Sequence, residues 1–125
     1  MKLKPVNIGN LTLKVPIIQG GMGIGVSLSS LAGAVAKEGG MGVISAAQPG
    51  FDREEWKTNP LGANLKALGE HIKRAKEISN NGVIGVNIMR ASCDYDKYVQ
   101  CCVDNGADAI ISGAGLPVEL PKLLE

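Results

Sequence analysis

The chain has 125 residues with 13 Lys and Arg against 12 Asp and Glu, for a formal charge of +1. That is one domain's length with well-mixed charges, which argues against a nucleic-acid or polyanion partner. Gly accounts for 17 residues, against one Trp, one Phe and two Tyr, a balance that suits an α/β protein of tight turns better than an aromatic-rich β-sandwich.

The N-terminus, MKLKPVNIGN, has charge but no apolar run behind it, so it does not read as a signal peptide. Val6-Asn7-Ile8 and Leu11-Thr12-Leu13 alternate around Gly9-Asn10 and predict a hairpin. Val15-Pro16-Ile17-Ile18 reads as the first buried strand, followed by the loop Gln19-Gly20-Gly21-Met22-Gly23-Ile24-Gly25. The weakly polar run over residues 15–28 is too short and too interrupted to span a bilayer. Leu28, Leu31, Ala32, Val35 and Ala36 then recur at helical spacing, with Ser27 or Ser29 as cap and Gly39-Gly40 as stop.

Gly42-Val43-Ile44-Ser45 is the second strand, and a polar connection over residues 48–59 follows, in which Trp56 serves as a lid or as an anchor. Leu61, Leu65, Leu68, Ile72, Ala75 and Ile78 form one stripe of a long helix, opened by Asn59-Pro60 and closed by Asn80-Asn81-Gly82. His71, Lys73, Arg74, Lys76 and Glu77 read as its solvated face. The third strand covers residues 83–88. A third helix carries Tyr95, Tyr98, Val99, Cys102 and Val103 and ends at Gly106. The fourth strand covers residues 109–112, and Pro117 sits at a further helix start. Three cysteines, two of them adjacent, make neither a disulfide framework nor a zinc site: Cys101 and Cys102 read as helix packing, and Cys93 stands at a strand exit. A reduced, cytoplasmic protein is the expectation.

Short apolar strands alternating with helices predict a parallel sheet, with all strand exits on one rim where ligands bind. A dinucleotide-binding fold does not fit. Val26 or Leu28 stands where the loop's sixth-position glycine belongs, Ser45-Ala46-Ala47-Gln48 replaces the expected acid, and Val118 spoils the second glycine loop. A Walker-type phosphate loop is also missing. The alternative is a (β/α)₈ barrel of roughly 250 residues, of which these four strands make the N-terminal half, with the hairpin plugging the closed end. Half a barrel leaves two open edges through which copies would associate.

PIIQGGMG, LAGAVAKEGGMGVIS, GVNIM and ISGAGLP, in this order and spacing, resemble the nitronate monooxygenase family (formerly 2-nitropropane dioxygenase). The related flavin-dependent enoyl-acyl-carrier-protein reductases share much of the pattern. The connection FDREEW…NPLGANLKAL looks like the monooxygenase branch. The resemblance implies an FMN-binding (β/α)₈ barrel that oxidises alkyl nitronates with O₂. The runner-up is reduction of an enoyl thioester with a nicotinamide donor, and a non-catalytic half barrel that only self-associates is the third reading.

By the same resemblance Gly21, Met22 and Gly23 lie against the flavin ring and Asn87 meets its edge. Met89 stands where many members have Thr, and reductase-like members can carry Met there. Gly113 and Ala114, at the fourth strand exit, are further cofactor-binding candidates. The chemistry agrees with these positions: backbone without a β-carbon approaches a flat ring closely, a carboxamide matches an imide edge, and a thioether packs on the π-face. The family's catalytic histidine and its phosphate loops lie beyond residue 125, so no catalytic residue is assigned and His71 does not inherit that role. Residues 1–125 alone are expected to bind FMN weakly or not at all, and to be inactive.

Overall fold

The computed structural model describes residues 3–125. The chain runs β1 (Val6–Ile8), β2 (Leu11–Leu13), α1 (Ser29–Lys37), β3 (Gly42–Ser45), a 3₁₀ turn (Glu54–Lys57), α2 (Pro60–Ser79), β4 (Ile84–Met89), α3 (Tyr95–Asp104), β5 (Ala109–Gly113) and α4 (Leu120–Leu123). It is a mixed α/β architecture. β1 and β2 pair antiparallel, Val6 opposite Leu13, across a turn in which Gly9 takes φ +58°. β3, β4 and β5 form a parallel sheet in that order, with Ser45 opposite Asn87 and Asn87 opposite Ile111.

The two faces of this sheet do different work. Ile44, Ala46, Ile84, Val86 and Ile88 point to the helices and join Ala32, Ala36, Leu68, Ile72, Ala75, Tyr98, Val99 and Cys102 in the main core. On the other face Met41 and Val43 pack with Leu13 of the hairpin in a smaller cluster. The period-2 alternation of β3 and β4 therefore sorts side chains between a helix-covered layer and a layer closed at its lower end by β1–β2. Asn87 belongs to the second layer, one step above Gly85.

α2 begins where its cap chemistry says. The Asn59 side chain accepts the Gly62 N–H at 3.0 Å, Pro60 occupies the first turn, and Asn80 closes the helix in the left-handed region at φ 53°. Its buried face is broader than the predicted stripe, taking in Ala63, Asn64, Ala67 and Gly69, because α2 is packed by both α1 and α3.

Five expectations change, the last of them at His71. Residues 15–18 form no regular strand; Ile18 makes a single parallel bridge to Met41, and Ile17 and Ile18 are about half exposed. Neither Ser27 nor Ser29 caps α1, whose N-cap is Leu28 without a side-chain bond, because both hydroxyls are used elsewhere. Lys76 is not free in solvent: its Nζ pairs with Asp108 and donates to Gly82 O at 3.1 Å. In α3, Val103 points outward, 47% exposed. As expected, Cys102 is core, its thiol pushed up to about 12 by burial, and Cys101 Sγ donates to Leu65 O at 3.2 Å.

His71 also departs from its expected solvated position. Its Nδ1 lies 3.0 Å from Ser29 Oγ, tying α2 to the first turn of α1. Burial lowers its pKa below the ordinary value, and Arg53, itself paired to Glu70, lowers it further; Asp52 and Glu70 oppose this only in part. The imidazolium is thus disfavoured in the folded state. Its contribution to stability is complete above the unfolded pKa of about 6.5 and is lost as pH falls toward the folded value. The melting temperature is expected to drop between pH 7 and pH 5, and Gln in place of His71 should flatten that drop. Equal slopes for the two proteins in thermal melts would remove the assignment.

Candidate functional site

The site starts where the chain leaves the edge of β3. Residues 15–19 run beside residues 39–41 through Val15 N–H to Gly39 O (3.0 Å), Met41 N–H to Ile17 O (2.9 Å) and Gln19 N–H to Met41 O (3.0 Å). The backbone then turns away, and the Gln19 side chain takes its place. Gln19 Nε2 donates to Val43 O at 3.0 Å, and Val43 N–H donates to Gln19 Oε1 at 3.0 Å. One residue pair on, Ser45 N–H reaches Ser27 O at 2.8 Å.

Between those anchors the glycine-rich stretch forms a loop with a closed neck. Met22 N–H donates to Ser27 Oγ at 3.0 Å, Ser27 N–H donates to Met22 O at 3.2 Å, and Ser27 Oγ donates to Gly20 O at 3.3 Å. Ser27 is 2% exposed, so this neck is built into the protein. Gly23 and Gly25 sit at φ +73° and +74°, a region that side chains with a β-carbon occupy only under strain. The ring of Phe51 fills the space beside Gly25, 2.8 Å from where a Cβ would stand.

Gly21 is bare for another reason. A Cβ there would lie 2.8 Å from Val43 Cγ1, 2.9 Å from Asn87 Cβ and 3.2 Å from Ile44 O. The peptide rests directly on the exits of β3 and β4, and Asn87 Nδ2 holds it by donating to Gly21 O at 3.0 Å.

Beside this contact lies a cavity of about 430 Å³, bounded by the rim loop and the exits of β3 and β4. Gly21, Met22, Gly23, Asn87 and Met89 all line it, so five of the seven candidates come together. Gly113 and Ala114 do not line it. β5 lies on the far side of β4 from the rim loop, and Gly113 O is bonded to Arg90 N–H at 2.8 Å. Met22 and Met89 are 69% and 51% exposed at the mouth, and no charged side chain lines the cavity among the described residues. Cys93 and Tyr98 are its titratable groups; burial raises the Tyr98 pKa. Trp56 is absent from the lining, and its 3₁₀ turn packs on α2, which favours the anchor over the lid.

Three contributors escape a reading by motif: Gln19, Ser27 and Gln48. Gln48 lines the cavity with φ 47°, a left-handed conformation uncommon for its type. A signal for Gln19 was available, since a polar side chain ending an apolar strand run must find partners inside a sheet edge.

The residues fit a flat, uncharged ring. Gly21 and Gly23 present main chain to the cavity, the lining is mostly apolar with a few polar atoms, and no charged side chain among the lining residues answers a phosphate. Among the described residues no helix is long and apolar enough to cross a membrane, and no cluster of His, Cys, Asp and Glu is arranged to hold a metal ion. A comparison with curated proteins finds no match. The family model described as nitronate monooxygenase matches residues 4–123. Nearly the whole chain, rim loop and strand exits included, thus falls within one pattern, and the protein belongs to the nitronate monooxygenase family.

Proposed function

We propose that this chain carries the ring-binding part of an FMN-dependent oxidoreductase that oxidises alkyl nitronates with O₂. In this reading β3, β4 and β5 are the second to fourth strands of a (β/α)₈ barrel, residues 15–18 stand in the place of the first through the bridge from Ile18 to Met41, and β1–β2 lie at the closed end. The observation that carries the proposal is the Gly21 peptide lying on β3 and β4 beside a charge-free cavity, in a chain of this family.

When bound, the flavin supplies the redox centre that accepts reducing equivalents from the substrate. This chain's residues bind and orient. Gly21 gives the ring main chain to rest on, and Asn87 fixes that main chain through its Nδ2. The Asn87 carboxamide oxygen then supplies an acceptor for an imide N–H. Met22 and Met89 offer thioethers to the π-face and exclude water. No carboxylate, lysine or histidine lines the cavity, so proton transfer is not assigned to its walls. Met89, apolar where a hydroxyl would otherwise reach the ring edge, supports a second reading as an enoyl thioester reductase.

The ring-only character gives a direct test. Riboflavin and FMN should bind this chain with affinities within a few-fold of each other, read by quenching of flavin fluorescence, because no cation is present in the cavity to reward the phosphate. Binding to residues 1–125 should be weak for both, and FMN binding about a hundredfold tighter than riboflavin would contradict the assignment. For the chemistry, nitronate-dependent O₂ uptake measured against nicotinamide-dependent enoyl reduction separates the two readings in a form that carries a whole barrel; residues 1–125 alone should show neither activity.

A further inference from the structure

We propose that Gln19 is the positioning residue of the cavity's first rim: its carboxamide stands in for a peptide unit of the strand ladder and thereby frees Gly21 to lie over β3 and β4. The geometry of this inference is independent of any ligand; its consequence for ring binding rests on the function proposed above.

The ladder shows the substitution residue by residue. Met41 N–H donates to Ile17 O, and Gln19 N–H donates to Met41 O. In a parallel strand the next two bonds would run from Val43 N–H to the main-chain carbonyl of residue 19 and from the N–H of residue 21 to Val43 O. Here Gln19 Oε1 accepts the first, and Gln19 Nε2 donates the second. A carboxamide carries one acceptor and donor hydrogens in the same plane, as a peptide does, and both groups of Val43 are satisfied at 3.0 Å.

The main chain at residues 19–21 is then released from the ladder. Gly20 O turns to Gln19 Nε2 at 2.8 Å and to Ser27 Oγ at 3.3 Å, while Gly21 O turns to Asn87 Nδ2 at 3.0 Å. Had the backbone continued as a strand, residue 21 would lie in the ladder beside Val43, and the peptide now resting on β4 would not be there. Val43 is 1% exposed, so water is a poor substitute for the carboxamide, and an unpaired Val43 peptide carries a desolvation penalty.

Among single replacements, Gln19→Glu separates positioning from packing. It keeps the length and the acceptor but, when ionised, sets an oxygen against Val43 O; protonation restores a donor. The test is amide hydrogen exchange with riboflavin binding, on the wild-type chain, Gln19→Leu and Gln19→Glu. In Gln19→Leu the Val43 and Met22 amides should exchange about tenfold faster, relative to Val86 and Ile88, and riboflavin affinity should fall by about as much. Because partial burial and the facing Val43 O raise a carboxyl's pKa above its ordinary value, Gln19→Glu should match it at pH 7 and return toward the wild-type ratio at pH 5.

An unchanged Val43 amide, a rise shared equally by Val86 and Ile88, or no recovery of Gln19→Glu at pH 5 would each overturn the proposal. If Gln19→Leu does not fold, the Gln19→Glu comparison at the two pH values decides alone. If riboflavin does not bind the wild-type chain, the exchange ratios alone judge Gln19.

Discussion

Gly42→Ala should be the most damaging single-methyl change in the protein, costing about 3 kcal/mol or more and leaving little folded chain at 37 °C. A Cβ at Gly42 would stand 1.8 Å from the Ala32 carbonyl oxygen and 2.5 Å from its carbon. Those atoms belong to the backbone of α1, so no rotamer change relieves the overlap. The helix must move off β3, and α1 is also packed along α2 and tied to it through Ser29 and His71. Displacing α1 therefore opens the main core at Ala32 and Ala36, whose small side chains exist to let the helix come this close. Gly113→Ala is the matched control: nothing lies within 4 Å of its added carbon, and its effect should stay within about 0.5 kcal/mol. Urea titrations of the two variants against the wild type measure both. Similar midpoints for all three would mean that α1 does not sit on β3 as described.

Gly21→Val should have the largest effect on the site. The backbone conformation is not the obstacle, since Gly21 is not among the positive-φ residues. The obstacle is space. The first added carbon meets Val43 Cγ1, Asn87 Cβ and Ile44 O at 2.8–3.2 Å, and two further methyls follow it. The peptide must lift off the exits of β3 and β4, breaking the Asn87 bond to Gly21 O. The stability loss should be moderate, about 1–3 kcal/mol, because the loop beyond it is exposed and can yield. Ring binding should fall by about a hundredfold, the scale on which a misplacement of roughly an ångström acts in a preorganised site. Gly21→Ala should give a smaller loss of the same kind. Riboflavin quenching together with urea melts separates the two effects. Retained binding in a destabilised variant would show that the Gly21 peptide is structural and does not face the ring.

These two glycines look alike in the sequence, and so do their neighbours. Gly39 and Gly40 precede β3 and Gly42 opens it, while Gly20, Gly21 and Gly23 lie within the rim loop. What distinguishes Gly42 is a helix backbone from ten residues earlier, and what distinguishes Gly21 is Asn87, 66 positions away. A motif marks such positions as bare without saying against what. Five of the seven proposed site residues gather at the cavity because they sit at the exits of neighbouring elements, which an alternating strand–helix order already implies. Gly113 and Ala114 fall outside because the cavity follows the rim loop, and β5 lies beyond β4 on the other side.

The sequence by itself determined what depends on near neighbours along the chain. The β1–β2 turn at Gly9, the Asn59-Pro60 start and Asn80 stop of α2, and β4 as a short apolar strand all follow from local dihedral preferences, short-range hydrogen bonds and composition. Tertiary structure decided wherever a polar group had several partners within reach. Ser27 went to the loop neck rather than to the helix, Ser29 and His71 to each other, Lys76 to Asp108, and Gln19 to the Val43 peptide. Local chemistry permits each of these groups more than one satisfied state. Which one is realised depends on the orphaned donor or acceptor that the folded chain brings alongside, and for a buried sheet edge the penalty for leaving that group unpaired outweighs the local preference.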